Sequence, residues 1–237
     1  MLRITDARTG ETVAAAPARR GLTRVHAHVA RRDATALRVL LVTDLLVRAL
    51  ELGGTPVWAL LSGGRQEAEL RADAAALGTH PLEDGRDAGA GPGEARAVQV
   101  VAEGGTAPDG VLVSVAPVDD LDSGAADPYA LRLALLARPR GEAVRLDAAA
   151  LDDARETLRR HRRAVADWAR QPSRPVPEDV RAELRAAWED DLDAPAVLRV
   201  LREVATGSGL PDGARFETYA YADRFLGLHL VRDLGSG

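Results

Sequence analysis

The 237-residue chain contains no cysteine and no lysine. The first absence excludes disulfides, Cys-ligated zinc and a thiol nucleophile; the second excludes Schiff-base chemistry and the phosphate-binding lysine of a P-loop. Five histidines leave little for a His-rich metal centre. No run of about 18 uncharged apolar residues occurs. The first residues (MLRITDARTGE) carry acidic groups where a signal peptide needs an apolar stretch, so a cytoplasmic chain without a membrane span is expected. What is present is 46% hydrophobic and 28% charged residues, enough for a sizeable core, with a formal net charge of -5 and all 31 basic residues arginine. That sign argues against general nucleic-acid affinity but leaves room for a local basic patch.

Residues 2–5 and 24–29 alternate apolar and polar as half-buried strands do. Leu37, Leu40, Leu41, Leu45 and Leu46 mark a helix over 34–52, ended by Gly53 and Gly54. Residues 56–61 (PVWALL) read as a buried strand, giving a right-handed strand–helix–strand crossover. A second helix is predicted over 65–77, a Gly-, Pro- and Asp-rich surface stretch over 78–93, and β-branched strands over 98–101 and 111–115 joined by a turn. After residue 127 the pattern predicts helix only, over 129–137, 148–170, 177–189, 195–205 and 216–226, with the proline-rich 171–177 as an inter-helix connection. The expected architecture is an α/β, Rossmann-like parallel-sheet domain over 1–125 followed by a helical bundle over 126–237, with the boundary near 123–128.

Ser62, Gly63, Gly64 and Arg65 follow a predicted strand and precede a helix, the place where open α/β sheets bind ligands; the alternative is an ordinary helix start capped by Ser62. His26 and His28 share one strand face by period two and could hold a metal with His80, or serve packing. The string GAGPG at 89–93 lacks the strand and helix that would make it a phosphate loop and reads as a connector. Arg155, Arg159, Arg162 and Arg163 could contact RNA phosphates, or form a solvated face paired with Asp152, Asp153 and Glu156. Trp168 and Trp188 are expected to pack the bundle, and Asp44 to pair with Arg48 one turn later.

Four strings, LRITDARTGE at 2–11, RVLLVTDLLVRALELG at 38–53, DPYALRLALLA at 127–137 and WEDDLDAPAVL at 188–198, resemble in this order segments of the class I cysteine ligases. That family comprises the cysteinyl-tRNA synthetases and the cysteine:glucosaminyl-inositol ligase of mycothiol biosynthesis. The string at 127–137, with LDAAALDDARETLRRHRRAVADWA after it, looks closest to the mycothiol enzyme, which has no anticodon-recognition domain. The resemblance implies a class I aminoacyl-tRNA synthetase-like fold. It also implies a zinc ion that selects cysteine through its thiolate, a HIGH motif on the ATP phosphates, and KMSKS lysines at the departing pyrophosphate. Both expected zinc-ligating cysteines are missing, His26 and His28 standing near the first. The HIGH region falls at 33–36 (DATA), and the KMSKS region at 109–122 carries no basic residue.

The expectation is therefore a catalytically inactive cysteine-ligase paralogue, with no zinc and no cofactor, acting as a binding or regulatory protein on another protein or on a second copy of itself. Two alternatives stand beside it. One is a ligase or transferase with a site rebuilt around His26, His28, Ser62, Gly63 and Arg65, drawing charge from Arg31, Arg32 and Arg38. The other is tRNA binding through the arginine helix.

Overall fold

A computed structural model describes residues 1–16, 22–85, 97–120 and 127–232. Five parallel strands form the central sheet: β3 (Thr23–His28), β4 (Val57–Ser62), β5 (Glu83–Asp84), β6 (Ala97–Ala102) and β7 (Val111–Val115), in the order β5-β4-β3-β6-β7. Before them, β1 (Arg3–Thr5) and β2 (Thr12–Ala14) pair as an antiparallel hairpin. The strand order turns at β3: its first crossover leads to β4 on one side, and β6 lies on the other. Such a reversal opens a crevice at the carboxyl ends of the strands.

Helix α1 (Ala34–Leu52) is the first crossover. Asp33 caps it by accepting from the Ala36 amide at 2.8 Å, and the Gly53 amide closes its last turn on Ala49. It is apolar on nearly every side because it has neighbours on nearly every side, packing on β3, β4, β6 and β7 and also against α2 (Glu67–Ala76) and α7 (Asp212–Leu226). Residues 64–66 wind as a single 3₁₀ turn ahead of α2.

The remaining helices are α3 (Pro128–Leu136), α4 (Ala148–Trp168), α5 (Glu178–Glu189) and α6 (Ala194–Thr206). Asp127, Asp147 and Asp193 cap α3, α4 and α6 through their carboxylates, and prolines sit in the first turns of α3 and α6. Trp168 and Trp188 fill the bundle as expected: Trp168 lies edge-on to Tyr219 at 5.1 Å, and Trp188 meets Tyr221 and Phe225. One hydrophobic core runs from Leu2 through α1 to Leu230. The expected domain boundary near 123–128 falls largely outside the described residues.

One expectation is corrected. The C-terminal part is not helix only, because Val144–Leu146 forms β9 and pairs in parallel with β8 (Val118–Asp120). The strands expected over 98–101 and 111–115 are present as β6 and β7, and they lie as parallel neighbours, so more than a simple turn must join them. Their connection is short for a parallel pair, and it is held from outside. Arg8, at the tip of the β1–β2 hairpin, donates to the carbonyls of Ala107, Pro108 and Gly110, while Ala7 and Asp6 bond Leu112. Gly110 turns the chain back into β7 at φ +132, where a Cβ would stand 2.4 Å from the Ala97 carbonyl oxygen.

Candidate functional site

The alternation of β3 sends Val25 and Ala27 into the core and leaves His26 and His28 half-buried on the opposite face. Register then places His28 beside Ser62 on β4, and His26 beside Gln99 on β6. The two imidazoles stack with centroids 4.1 Å apart. His26 Nε2 is hydrogen-bonded to Ser62 Oγ at 2.9 Å, and His28 Nε2 to Gln99 Oε1 at 2.7 Å. Because the Gln99 amide nitrogen donates to the Asp109 carbonyl, its oxygen faces His28, and His28 Nε2 is the donor. Burial, and then the neighbouring His28, push His26 down to about 4, so it is neutral near pH 7.

A serine and a neutral imidazole in contact are the beginning of a nucleophile and base. Here that pair is crowded from one side. Gly85 lies over it so tightly that a Cβ there would stand 2.5 Å from both His26 Nε2 and Ser62 Oγ. The Gly63 amide, the nearest candidate for stabilising an oxyanion, is turned to Glu67 Oε2 at 3.3 Å. Arg65 is exposed on the 3₁₀ turn, with no hydrogen-bond or ion-pair partner among the described residues. The structure thus gathers His26, His28 and Ser62, sets Gly63 beside them, and keeps Arg65 at the surface. Gln99, which sequence reasoning missed, completes the cluster; its signal was a lone polar residue inside a buried β-branched strand.

The donor set does not fit the zinc that the resemblance implies. His26 and His28 spend their Nε2 atoms on Ser62 and Gln99, and His80 does not join them. Its Nδ1 and its backbone amide both bond Asp44 Oδ1, at 2.7 and 2.9 Å. No group of three or more His, Asp or Glu side chains stands at metal-binding spacing among the described residues. The GAGPG string at 89–93 lies outside those residues.

The crevice at the β3/β6 reversal holds a cavity of about 230 Å³, lined by His28, Arg31, Asp33, Thr35, Val39 and Ala102. An anion here would have to meet the amino end of α1, whose free amides and dipole favour negative charge. That end is already met by a carboxylate of the chain itself: Asp33 accepts from Ala36, and also from Arg31 at 2.7 Å. Nor do the arginines expected to supply charge converge. Arg32 forms a two-pronged pair with Asp73. Arg38 is buried and donates to the carbonyls of Ala116, Arg138, Pro139 and Glu142.

The arginine stripe of α4 is broken as well. Arg162 is buried, bonding the carbonyls of Leu228 and His229 and lying over the Tyr129 ring at 5.3 Å. Arg155 pairs with Asp152 and Arg159 approaches Glu156 at 3.9 Å, while Arg163 is exposed. The expected Asp44–Arg48 pair is present at 2.7 Å, and it is part of a larger cluster: Arg132 also reaches Asp44, at 2.5 Å, with both side chains fully buried.

No family model matches the chain. Three curated relatives do, each named L-cysteine:1D-myo-inositol 2-amino-2-deoxy-alpha-D-glucopyranoside ligase. The protein of Streptosporangium roseum is 40% identical over 109 residues, covering 44% of this chain and 26% of its own. That of Acidothermus cellulolyticus is 35% identical over 48% of this chain and 27% of its own, and that of Beutenbergia cavernae 40% identical over the same shares. The chain is a relative of these cysteine ligases. The matched stretch spans about a quarter of the length of these curated relatives. A cysteine-ligase relative is thus combined with a crevice whose helix end carries its own carboxylate, and with a histidine pair bordered by Ser62, Gln99 and Gly85.

Proposed function

We propose that this cysteine-ligase relative does not activate a carboxylate with ATP and works by binding, as a regulatory partner of another protein or of a second copy of itself, in the cytoplasm. One observation carries the reading: Asp33 occupies the amino end of α1 at the β3/β6 crevice, with Arg31 neutralising it. A departing pyrophosphate needs preorganised positive charge, and removing even one such donor costs about 10² to 10³ in rate. In this crevice the Asp33 carboxylate already takes up a helix-end amide that a phosphate would need, and the cations around it are bonded to acids or carbonyls of the chain. No described helix is long and apolar enough to cross a membrane.

The test is calorimetry with ATP and magnesium. We expect a dissociation constant above about 1 mM, equivalent to less than about 4 kcal/mol of binding free energy. Micromolar binding that disappears in Arg65→Ala or Arg31→Ala would overturn the reading in favour of a ligase with a rebuilt site.

A further inference from the structure

A second site, a large cavity, lies far along the chain from the histidine pair, in the helical half. It measures about 600 Å³, within the usual range of small-molecule sites, and is bounded by α3, β9, α4 and α6. Its apolar surface comes from Leu133, Val144, Leu146, Ala150, Ala154 and Leu198. A second cavity, of about 480 Å³, continues it along α4 and α6, and both share Arg160, His161 and Arg202 in their walls. The two hollows therefore meet at these three side chains.

Charge separates this groove from the rest of the molecule. The larger cavity is lined by Arg138, Arg145, Arg160 and Arg202 against a single acid, Asp153, in a chain whose formal net charge is -5. Arg138 and Arg145 have loose acidic neighbours, Glu142 at 3.8 Å and Asp147 at 3.5 Å. Arg160 and Arg202 have no carboxylate partner among the described residues; Arg160 reaches only the Thr157 hydroxyl, at 3.0 Å. Both press on His161 electrostatically: burial first, then Arg160 and Arg202, hold that imidazole down to about 4. His161 is further fixed by Tyr219, whose hydroxyl donates to the Leu201 carbonyl at 2.9 Å and so accepts from His161 Nδ1 at 3.0 Å. The wall between the cavities thus combines a neutral, oriented imidazole with two guanidinium groups that have no counter-ion among the described residues.

We infer that this groove binds a small amphipathic anion, a carboxylate or phosphate monoester on an aliphatic body, with the anionic head on Arg160 and Arg202 and the chain along Leu133, Val144 and Leu198. Guanidinium groups bind either head through paired, charge-assisted hydrogen bonds, and no Phe, Tyr or Trp lines the larger cavity to give a nucleobase a broad stacking face. An RNA backbone is the less fitting occupant, because the apolar surface would face its sugars and phosphates. Occupancy of this groove is independent of whether the chain forms an adenylate, since it shares no lining residue with the β3/β6 crevice.

The experiment is titration of the intact chain with decanoate, decyl phosphate, decanol and inorganic phosphate. It is followed by calorimetry and by the imidazole resonances of His161. Saturable binding of decanoate or decyl phosphate is expected, whichever head is preferred, at least about tenfold tighter than decanol or inorganic phosphate. The surface double variant Arg160→Gln plus Arg202→Gln should weaken it by about tenfold or more. Ala150→Trp, which fills the larger cavity and leaves both arginines in place, should weaken the decyl anions and leave inorganic phosphate unchanged. Equal affinity for decanol, binding indifferent to the double variant, or no saturable binding would overturn the inference. So would an RNA oligonucleotide that binds through Arg160 and Arg202 while the decyl anions do not.

Discussion

Asp44→Ala is expected to lower the free energy of unfolding by about 3–5 kcal/mol, the usual cost of breaking a buried ion pair by removing one partner. The carboxylate pairs with Arg48 on α1 itself and ties two further elements to that helix, α3 through Arg132 and the segment after α2 through His80. Without it, the fully buried Arg132 guanidinium keeps only the carbonyls of Leu226 and Leu77, at 2.7 and 3.1 Å. Those carbonyls belong to the ends of α7 and α2, so the loss is felt where four helices meet. Gly227 belongs to the same knot: at φ +61 it ends α7, and a Cβ on it would stand 2.6 Å from Arg132 Nη2. Urea unfolding followed by tryptophan fluorescence gives the number. The double variant Asp44→Leu plus Arg132→Met should cost less than the two single changes added together, because each single change strands a charge.

The same carboxylate sets a pH dependence. Burial would raise it, but the His80 hydrogen bond and the Arg132 and Arg48 charges outweigh burial and hold it well below the usual carboxylate range. A folded-state value below the unfolded one, about 3.9, gives stability that is fully present at neutral pH and is lost as pH falls below about 4. Between pH 5 and pH 3 the parent chain should therefore lose more stability than Asp44→Asn. Equal slopes would contradict the assignment.

The second large effect is expected at Arg38, where Arg38→Met should cost about 3 kcal/mol or more. Its side chain is buried within α1 and grips four carbonyls, the closest those of Glu142 at 2.5 Å and Pro139 at 2.7 Å. Burial lowers it to about 10 against the pull of Glu142, so the guanidinium stays charged at neutral pH. Arg38→Lys should restore little, since one ammonium cannot reach carbonyls on both sides of the fork. Amide hydrogen exchange localises the loss: Ala116, which donates to the Arg140 carbonyl, and Val144, which donates to Pro117, should exchange faster. Unchanged exchange there, with a normal unfolding midpoint, would contradict the clamp.

Much of the α/β half was legible because its signals are local. The period-two alternation of β3 and the leucine spacing of α1 each fit within one element, and α1 was predicted to the residue. Strand β9 was not legible, since three residues carry too little periodicity to stand out between helices. The connection between β6 and β7 is gripped by Arg8, about a hundred positions away, and no local pattern encodes that contact. Arg162 was readable and was missed: it lies four residues after Leu158 and three before Val165, on the apolar stripe of α4, where an arginine must find acceptors inside. The Asp44–Arg48 pair was legible from i,i+4 spacing, but its larger partner Arg132 was not. An arginine inside the apolar string of α3 was the signal that a buried carboxylate awaited it.

At the candidate site, the sequence placed His26, His28 and Ser62 together through strand order alone. Their crowding by Gln99 and Gly85 came from elements whose approach only the tertiary fold determines. The same holds for Asp33: its position before a helix marks a cap, but only the strand reversal at β3 shows that the cap stands in the crevice where a nucleotide would have to lie.

The most direct test of the central claim is ATP–pyrophosphate exchange with magnesium and cysteine. Exchange should be indistinguishable from the rate without protein, because the Asp33 carboxylate holds the amino end of α1 and the nearby arginines are bonded elsewhere or stand at the surface. Exchange that requires cysteine, rises in proportion to protein and is lost in Arg31→Ala or Arg65→Ala would contradict it.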